Sequence, residues 1–343
     1  MKLIKRINKN FFFIIFLLQQ IIIILLFLII IFLYKKIINL KLFKNKNNFF
    51  EGKYKFDSGN NKFAIIRGVD CKTCGLFSFY IVHLGCINYF ISKGYIPIID
   101  LSSFPNVFNR YKPISSNNPW EFFFNQPFKH SLREVKQKAK TIKYFNCDKS
   151  LPRPNDGSFL LNKVLINYWH NIANFYMPIK EEIIIESNNI MSALFKDEKN
   201  ILGVLIRGTD YVAKKPKHHP IPPGPETLIK DIKKMDSYNN YNYIFLATED
   251  DIIREKIIKE FYSKIKIYKY KKSINYNYKN KILLGKNSII QGNLEYIKIY
   301  LINIIILSKC IDIICCRTSG TAGVFVITKG FRNIKIYFLG NYK

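Results

Sequence analysis

The sequence predicts an α/β protein with two Rossmann-like halves that face a cleft, preceded by one N-terminal transmembrane helix. Apolar runs of strand length alternate with stretches of helical periodicity from about residue 62 onward. Such alternation indicates parallel sheets with helices on both faces. Three of these apolar runs end in an arginine followed by small residues, and an apolar segment broken only by Gln19 and Gln20 occupies residues 11–34. These observations define the fold class.

The N-terminal part divides into a basic tail at 1–10, an apolar segment at 11–34 and a polar stalk at 35–61. A helix of 24 residues reaches roughly 36 Å, enough to cross a ~30 Å hydrocarbon core with some tilt. A cleaved signal peptide has a shorter apolar region and a small-residue cleavage site, and the sequence has neither. We therefore expect an uncleaved, single-pass membrane anchor. Lysines flank it on both sides, so its orientation stays open.

The predicted N-terminal half covers residues 62–197. Gly94 is well placed to end its first helix. Pro97 cannot donate to a strand ladder, which favours an edge position or a strand start for the following strand. The aromatic residues at 117–127 predict core or a contact between domains, with an acceptor-binding wall as the alternative. The predicted elements are strands 63–66 and 95–100 and helices 76–93, 159–176 and 181–195.

The predicted C-terminal half covers residues 198–343 and alternates more regularly, with the boundary near 197–200. A short helix is expected to begin in the turn after the last buried strand. Because strands and helices alternate, a parallel sheet is expected here too. The predicted strands are 201–206, 243–247, 263–270, 311–315 and 334–339, and the predicted helices are 226–235, 252–262 and 294–309.

The net charge of +30 and the pI of about 9.7 would by themselves suggest nucleic acid as a partner. Lysine, however, is spread along the whole chain rather than gathered into one stripe. We therefore predict a generally cationic surface and no nucleic-acid partner. Such a surface favours anionic membranes and phosphorylated substrates through long-range attraction.

The seven cysteines are irregularly spaced. Cys71 and Cys74 form one CxxC without a second pair, so a four-cysteine zinc site is not predicted. A disulfide, a redox pair and two free thiols all fit this spacing, and we favour a structural role. Cys315 and Cys316 end an apolar strand and are expected to be small core residues.

Arginine is rare in this chain, with nine among the 54 basic residues, yet it ends three strands, at Arg67, Arg207 and Arg317. Its planar fork grips phosphate in two places, and open α/β sheets bind ligands at their carboxyl edge. The turn 317–321 opens a helix whose N–H groups favour an anion, although an ordinary helix cap is the alternative. Asp210 could orient Arg207, or the two could form a structural turn. No segment fits a P-loop, and 249–251 could bind a metal or simply cap a helix.

In order, residues 204–210, 248–250 and 317–321 resemble the motif series of the GDP-fucose fucosyltransferase superfamily. Residues 75–78 and 94–97 look like its N-terminal glycine loop and second strand. The likeness covers about 62–343 and is greatest to bacterial surface-polysaccharide fucosyltransferase-like enzymes. Leu205 stands where the family has a histidine, and His218 or His219 is an alternative source of an imidazole.

The resemblance implies a GT-B-like, membrane-anchored glycosyltransferase that moves fucose from GDP-fucose to a glycan, with inversion and no cofactor or obligatory metal. The bilayer would be contacted through 11–34. Two alternatives remain: another nucleotide sugar as donor, or a non-catalytic membrane-tethered protein that binds acidic polymers. The implied catalytic residues are Arg207 with Asp70 or Glu249 as base, and the implied nucleotide-binding residues are Arg207, Asp210, Arg317, Thr318, Ser319, Gly320 and Thr321.

Overall fold

The computed structural model describes residues 61–68, 74–103, 118–148, 150–154, 157–208, 211–212, 215–268 and 294–343. The predicted tail, the anchor at 11–34 and nearly all of the stalk lie outside these residues. Within the described ranges, no helix combines the length and apolarity needed to cross a membrane. Residues Ser58–Lys343 form one compact unit, which contains every element below.

Three parallel strands form the N-terminal sheet: β1 (Lys62–Arg67), β2 (Ile96–Asp100) and β3 (Thr141–Asn146), in the order β2-β1-β3. Helix α1 (Leu76–Ser92) connects β1 to β2. Gly94 follows it with φ 75°, a left-handed conformation that glycine adopts without strain. Pro97 lies in β2 at the edge of the sheet, as its missing N–H predicts.

Helix α1 is buried around most of its circumference, which is the pattern expected of a helix covered on several sides. The aromatic segment after β2 packs on it. Trp120 and Phe124 are fully buried, their rings stack with centroids 4.4 Å apart, and Tyr80 of α1 stacks on Trp120. The prediction that this segment belongs to the core is confirmed.

Strand β3 was not predicted from the sequence. It pairs with β1 along its whole length, from Lys62 opposite Thr141 to Arg67 opposite Asn146. Its residues are mostly exposed, since it forms the other edge of the sheet. With few buried positions the alternation of apolar and polar residues is weak, and only the pairing with β1 makes this segment a strand.

Helix α2 (Leu132–Lys138) lies between β2 and β3. Among the described residues, three helices connect the N-terminal sheet to the C-terminal sheet: α3 (Gly157–Leu160), α4 (Lys163–Tyr176) and α5 (Glu181–Phe195). The prediction of a single helix at 159–176 is wrong, because residues 161–162 are not helical and separate two helices. Asn162 caps α4 there, its side-chain oxygen accepting from the N–H groups of Val164 and Leu165. A side chain that satisfies the free N–H groups of a new helix start favours two helices over one.

The C-terminal sheet is also parallel, in the order β6-β5-β4-β7-β8. Strands β4, β5 and β7 occupy its centre and are almost wholly buried. After β6 at one edge, the chain crosses back to place β7 beside β4, so these two strands are neighbours although they are far apart in sequence. The strands are β4 (Ile201–Leu205), β5 (Tyr243–Ala247), β6 (Ile265–Lys266), β7 (Asp312–Cys316) and β8 (Ile334–Tyr337).

Helices α6 (Pro225–Asn239), α7 (Asp251–Glu260), α8 (Leu294–Lys309) and α9 (Ser319–Ile327) cover this sheet. The predicted strand 263–270 shrinks to β6, the predicted helix at 226–235 extends to Asn239, and β8 ends two residues early. The alternation of lysine with apolar residues at 263–270 predicted a longer strand than the structure has. Strand β6 pairs with β5 through two residues only, and residues 269–293 lie outside the described ranges. The other predicted elements match within one to two residues.

Helix α9 lies between the halves. It packs on α1 and α4 of the N-terminal half and on α8 of its own half. His170 of α4 bonds the carbonyl of Val326 at 2.9 Å, and the Phe77 ring of α1 lies directly against Gly323. The start of α9 is therefore fixed next to the start of α1.

Candidate functional site at the carboxyl edge of the C-terminal sheet

Three central strands of the C-terminal sheet end side by side. β4 leads to Arg207, β5 to Glu249, and β7 to the turn that begins at Arg317. Because parallel strands share one carboxyl edge, residues that are 110 positions apart in sequence become neighbours. This edge contains most of the site residues predicted from the sequence.

Arg207 is held in place by two side chains. Its Nε lies 3.2 Å from Oε1 of Glu249, and its guanidinium lies 4.7 Å above the centre of the Tyr211 ring. Both partners of the ion pair are about one quarter exposed. A guanidinium is a planar, charged fork, the shape that binds an anion such as phosphate in two places.

Gly208 follows Arg207 at a point where no larger residue fits. A Cβ at this position would lie 2.7 Å from the Cβ of Asp250. Asp250 is buried and caps α7, its Oδ1 accepting from the N–H of Ile253 at 2.9 Å. The close approach of these two loops explains the glycine, and the structural alternative for 249–251, a helix cap, holds for Asp250.

The turn after β7 is built by two threonine hydroxyls. Thr318 Oγ1 accepts from the N–H of Thr321 at 3.2 Å and caps α9. The Thr321 hydroxyl donates to the carbonyl of Cys316 at 2.5 Å and is fully buried. Both hydroxyls are therefore engaged in shaping the helix start. The N-terminus of α9 lies at this turn, with the N–H groups of Ser319 and Gly320 in the first turn of the helix.

Ser319 connects this turn to the N-terminal half. Ser78, in the first turn of α1, donates its hydroxyl to Ser319 Oγ at 3.2 Å. The Phe77 ring packs edge-on against Tyr300, with centroids 5.7 Å apart. The N-termini of α1 and α9 thus meet, and each carries a partial positive charge that favours an anion.

Tyr300 of α8 forms another wall of the site. Its hydroxyl lies so close to Gly320 that a Cβ there would be 2.5 Å from Oη. Burial raises the pKa of Tyr300, so the phenol stays protonated at neutral pH and is a donor. Gly320 is therefore required by the packing of Tyr300.

Arg317 is oriented differently from Arg207. Its Nη2 donates to Oδ1 of Asn341 at 3.0 Å, near the carboxyl end of the chain. The residue is half-buried. Arg317 thus ties the last residues of the chain to the site turn in this structure.

Two predicted site residues, Asp70 and Asp210, lie outside the described residues. Arg67 ends β1 in the other sheet, where its guanidinium lies 4.6 Å above the Tyr144 ring. His219 packs edge-on against Tyr211, with centroids 5.1 Å apart. The imidazole thus touches the residue that supports Arg207.

The sequence did not indicate Tyr211 and Tyr300 as parts of this site, and it indicated Ser78 only as the last residue of the 75–78 motif. Tyr211 lies four residues after Arg207, a spacing that could have suggested a stacking partner. Tyr300 belongs to a helix of high apolar content, and nothing in its neighbours distinguishes it. Its position follows only from the packing of α8 beneath α9.

Among the described residues, no group of three histidine, cysteine, aspartate or glutamate side chains is arranged to hold a metal ion. Cys74 is disulfide-bonded, which excludes a free thiol at this position. Cys315 and Cys316 are buried free thiols in the strand that leads to the site. Burial raises the pKa of Cys316 to about 11. These two cysteines are core residues, as predicted.

The fold and the site define an α/β protein with two parallel sheets and an arginine-bearing, anion-favouring carboxyl edge. No protein-family profile matches the chain, and no curated protein does.

Solved structures do match it. One is NodZ alpha-1,6-fucosyltransferase soaked with GDP-fucose, with 12% identity, a TM-score of 0.47, and 78% of this chain and 93% of that chain covered. Another is POFUT1 in complex with GDP-fucose, with 10% identity, a TM-score of 0.47, and 82% and 99% covered. A third is fucosyltransferase NodZ from Bradyrhizobium, with 12% identity, a TM-score of 0.49, and 78% and 94% covered. The two NodZ structures are named as fucosyltransferases.

Proposed function

We propose that this chain is a glycosyltransferase that transfers fucose from GDP-fucose to a glycan acceptor, with inversion and without an obligatory metal. The observation that carries the proposal is the position of Arg207. Its guanidinium is fixed by Glu249 and Tyr211 at the same sheet edge as the N-terminus of α9. A nucleoside diphosphate is the leaving group that such a site fits best.

In the proposed reaction the sugar–phosphate bond breaks while negative charge builds on the diphosphate. Arg207 stabilises that charge from the end of β4, and the N–H groups at the start of α9 stabilise it from the end of β7. Both are held by the fold before the reaction, so little reorganisation is needed when the charge develops. Asp210 and Arg317 are proposed to take part in binding the nucleotide.

The acceptor hydroxyl needs a base, and Asp70 and Glu249 are the candidates. Glu249 lies 3.2 Å from Arg207 and orients it, which favours a supporting role for this carboxylate. Asp70 follows β1 in the sequence and belongs to the N-terminal half, from which we propose that the acceptor enters. We further propose that residues 11–34 anchor the protein in a lipid bilayer.

A thermal-shift panel of nucleotide sugars, with GDP and GDP-fucose included, tests the proposal. We expect GDP and GDP-fucose to raise the melting temperature more than UDP-sugars do. Stabilisation by a different nucleotide sugar alone would support the alternative donor. If no nucleotide stabilises the protein while an acidic polymer binds in a salt-sensitive way, the non-catalytic alternative is favoured.

The substitution Arg207→Lys tests the role of the guanidinium directly. It keeps the charge but loses the fork and the stacking on Tyr211, so we expect kcat/KM to fall about 100-fold or more. Arg133→Lys is a matched control, because Arg133 is exposed on α2. Wild-type activity in Arg207→Lys, with the donor confirmed, would remove Arg207 from the mechanism.

A further inference from the structure

We propose that Cys86 and Cys147 form a site of reversible disulfide formation that fastens α1 to the end of β3. Their Sγ atoms lie 2.8 Å apart, and both residues are buried. A disulfide bond is about 2.05 Å long, so a small displacement closes it. The two residues are 61 positions apart in sequence, and only the fold brings them together.

The surrounding packing keeps the two sulfurs facing each other. One helical turn after Cys86, Phe90 packs against Phe145, which lies two residues before Cys147 on the same face of β3; the ring centroids are 4.3 Å apart. Phe145 in turn pairs with Ile66 in the sheet. Helix and strand thus hold a fixed register at this point, and the thiol pair needs no rearrangement of the backbone to meet.

The other described cysteines are arranged differently. Cys310, one residue past the end of α8, donates through Sγ to the carbonyl of Ile306. Cys315 and Cys316 are consecutive in β7, so their side chains point to opposite faces of the sheet. Cys74, just before α1, is already disulfide-bonded. An environment that oxidises Cys74 can therefore also oxidise Cys86 and Cys147.

The reaction is thiol–disulfide exchange with a low-molecular-weight disulfide such as oxidised glutathione. The Cys147 thiol loses its proton and attacks the small disulfide, forming a mixed disulfide and releasing one thiolate. Cys86 then loses its proton, attacks the Cys147 sulfur and releases the second thiolate. Two protein thiols are oxidised, one small disulfide is reduced to two thiols, and the two released thiolates take up the two protons.

The environments of the two sulfurs fit this order. Cys147 retains 7% exposure, whereas Cys86 has none, so a small disulfide reaches Cys147 first. Burial raises the pKa of Cys147 well above its usual range, so the first step is expected to be slow.

Peptide mapping of the full-length protein tests the inference. The protein is reduced with dithiothreitol, equilibrated with oxidised glutathione, denatured under alkylation and digested without reductant. We expect a peptide pair joined through Cys86 and Cys147 and lighter than its reduced form by two hydrogen atoms. Recovery of both cysteines as alkylated thiols, or with glutathione as the only adduct, would overturn the proposal.

Thermal unfolding with matched variants gives a second readout. Oxidation closes a long loop and restrains the unfolded chain, so we expect the oxidised protein to melt about 5 °C higher than the reduced one. The same shift is expected in Cys310→Ser. In Cys86→Ser and Cys147→Ser the shift is expected to be smaller, because only the disulfide of Cys74 remains to be reduced. An equal shift in all four proteins would assign it to another disulfide and contradict the proposal. If a variant fails to fold, the wild-type peptide map decides alone.

Discussion

At the scale of single residues, two arginines pair with carboxylates at opposite edges of the C-terminal sheet. Arg207 is paired and stacked at the carboxyl edge, where a ligand can reach it. Arg332 is at the opposite edge, where Nη2 and Nε bond the Asp312 carboxylate at 2.7 and 3.2 Å. The first arrangement fixes a guanidinium at the edge where the site lies, and the second satisfies a buried charge. The same residue type therefore serves the site at one edge and the fold at the other.

Asp312 makes stability depend on pH. Burial alone would raise its pKa, but hydrogen bonds from Arg332, Tyr241 and Asn333 outweigh burial and hold the pKa below its usual value. A depressed pKa means that the carboxylate stabilises the fold above its unfolded value of about 3.9, and that this contribution is lost as pH falls through the folded-state pKa. We expect the urea midpoint of the wild-type protein to decrease as the pH is lowered through that acidic range.

Asp312→Asn provides the comparison. The variant keeps the shape but removes the charge opposite Arg332, so we expect a loss of about 2–3 kcal/mol at pH 7. Its stability should then change less with pH in the acidic range than that of wild type. Parallel pH curves for the two proteins would show that Asp312 does not titrate with unfolding.

At the scale of elements, α1 and α9 determine how the site is assembled. Both are apolar on most sides and start at the same place, α1 with Ser78 and α9 with Ser319. Gly323 lets the ring of Phe77 lie directly on the backbone of α9. This close approach holds two helix N-termini at one point, which neither helix could do alone.

Gly323→Ala is expected to destabilise the protein by about 1–2 kcal/mol. Alanine favours a helix over glycine by about 1 kcal/mol, but its Cβ would overlap the Phe77 ring, and overpacking costs more than the gain. Chemical denaturation measures the effect. Adding Phe77→Leu should recover part of the lost free energy of unfolding. A double variant whose loss equals or exceeds the sum of the losses of the two single variants would contradict this account.

At the scale of the whole molecule, the site is shared by two halves with separate sheets. The C-terminal half supplies Arg207 and the start of α9, and the N-terminal half contributes the start of α1. The hydrogen bond from Ser78 to Ser319 spans 241 positions of sequence. The geometry of the site thus depends on how the halves pack.

A double-mutant cycle tests this connection. We expect Ser78→Ala and Ser319→Ala to couple by about 0.5–1 kcal/mol in the free energy of unfolding, because each removes the same hydrogen bond. Ser78→Ala with Ser187→Ala is the matched control, since Ser187 bonds Ile184 within α5, and these effects should add. Additive effects in the first pair would mean that the bond between the halves contributes no stability.

The sequence by itself determined the α/β class, most of the helices and strands, and the edge at which Arg207 and the turn at 317–321 meet. These follow from local periodicity, from turn chemistry and from the rule that parallel strands share one carboxyl edge. The break between α3 and α4 and the existence of β3 did not follow, because a side-chain cap and an edge pairing decide them.

Only the tertiary structure decided what each side chain does at that edge. It committed the hydroxyls of Thr318 and Thr321 to the helix start, directed Arg317 to Asn341, and brought Tyr300 against Gly320. It also brought Cys86 within 2.8 Å of Cys147. The physical reason is that these contacts join distant parts of the chain, whereas periodicity and spacing report only on residues close in sequence.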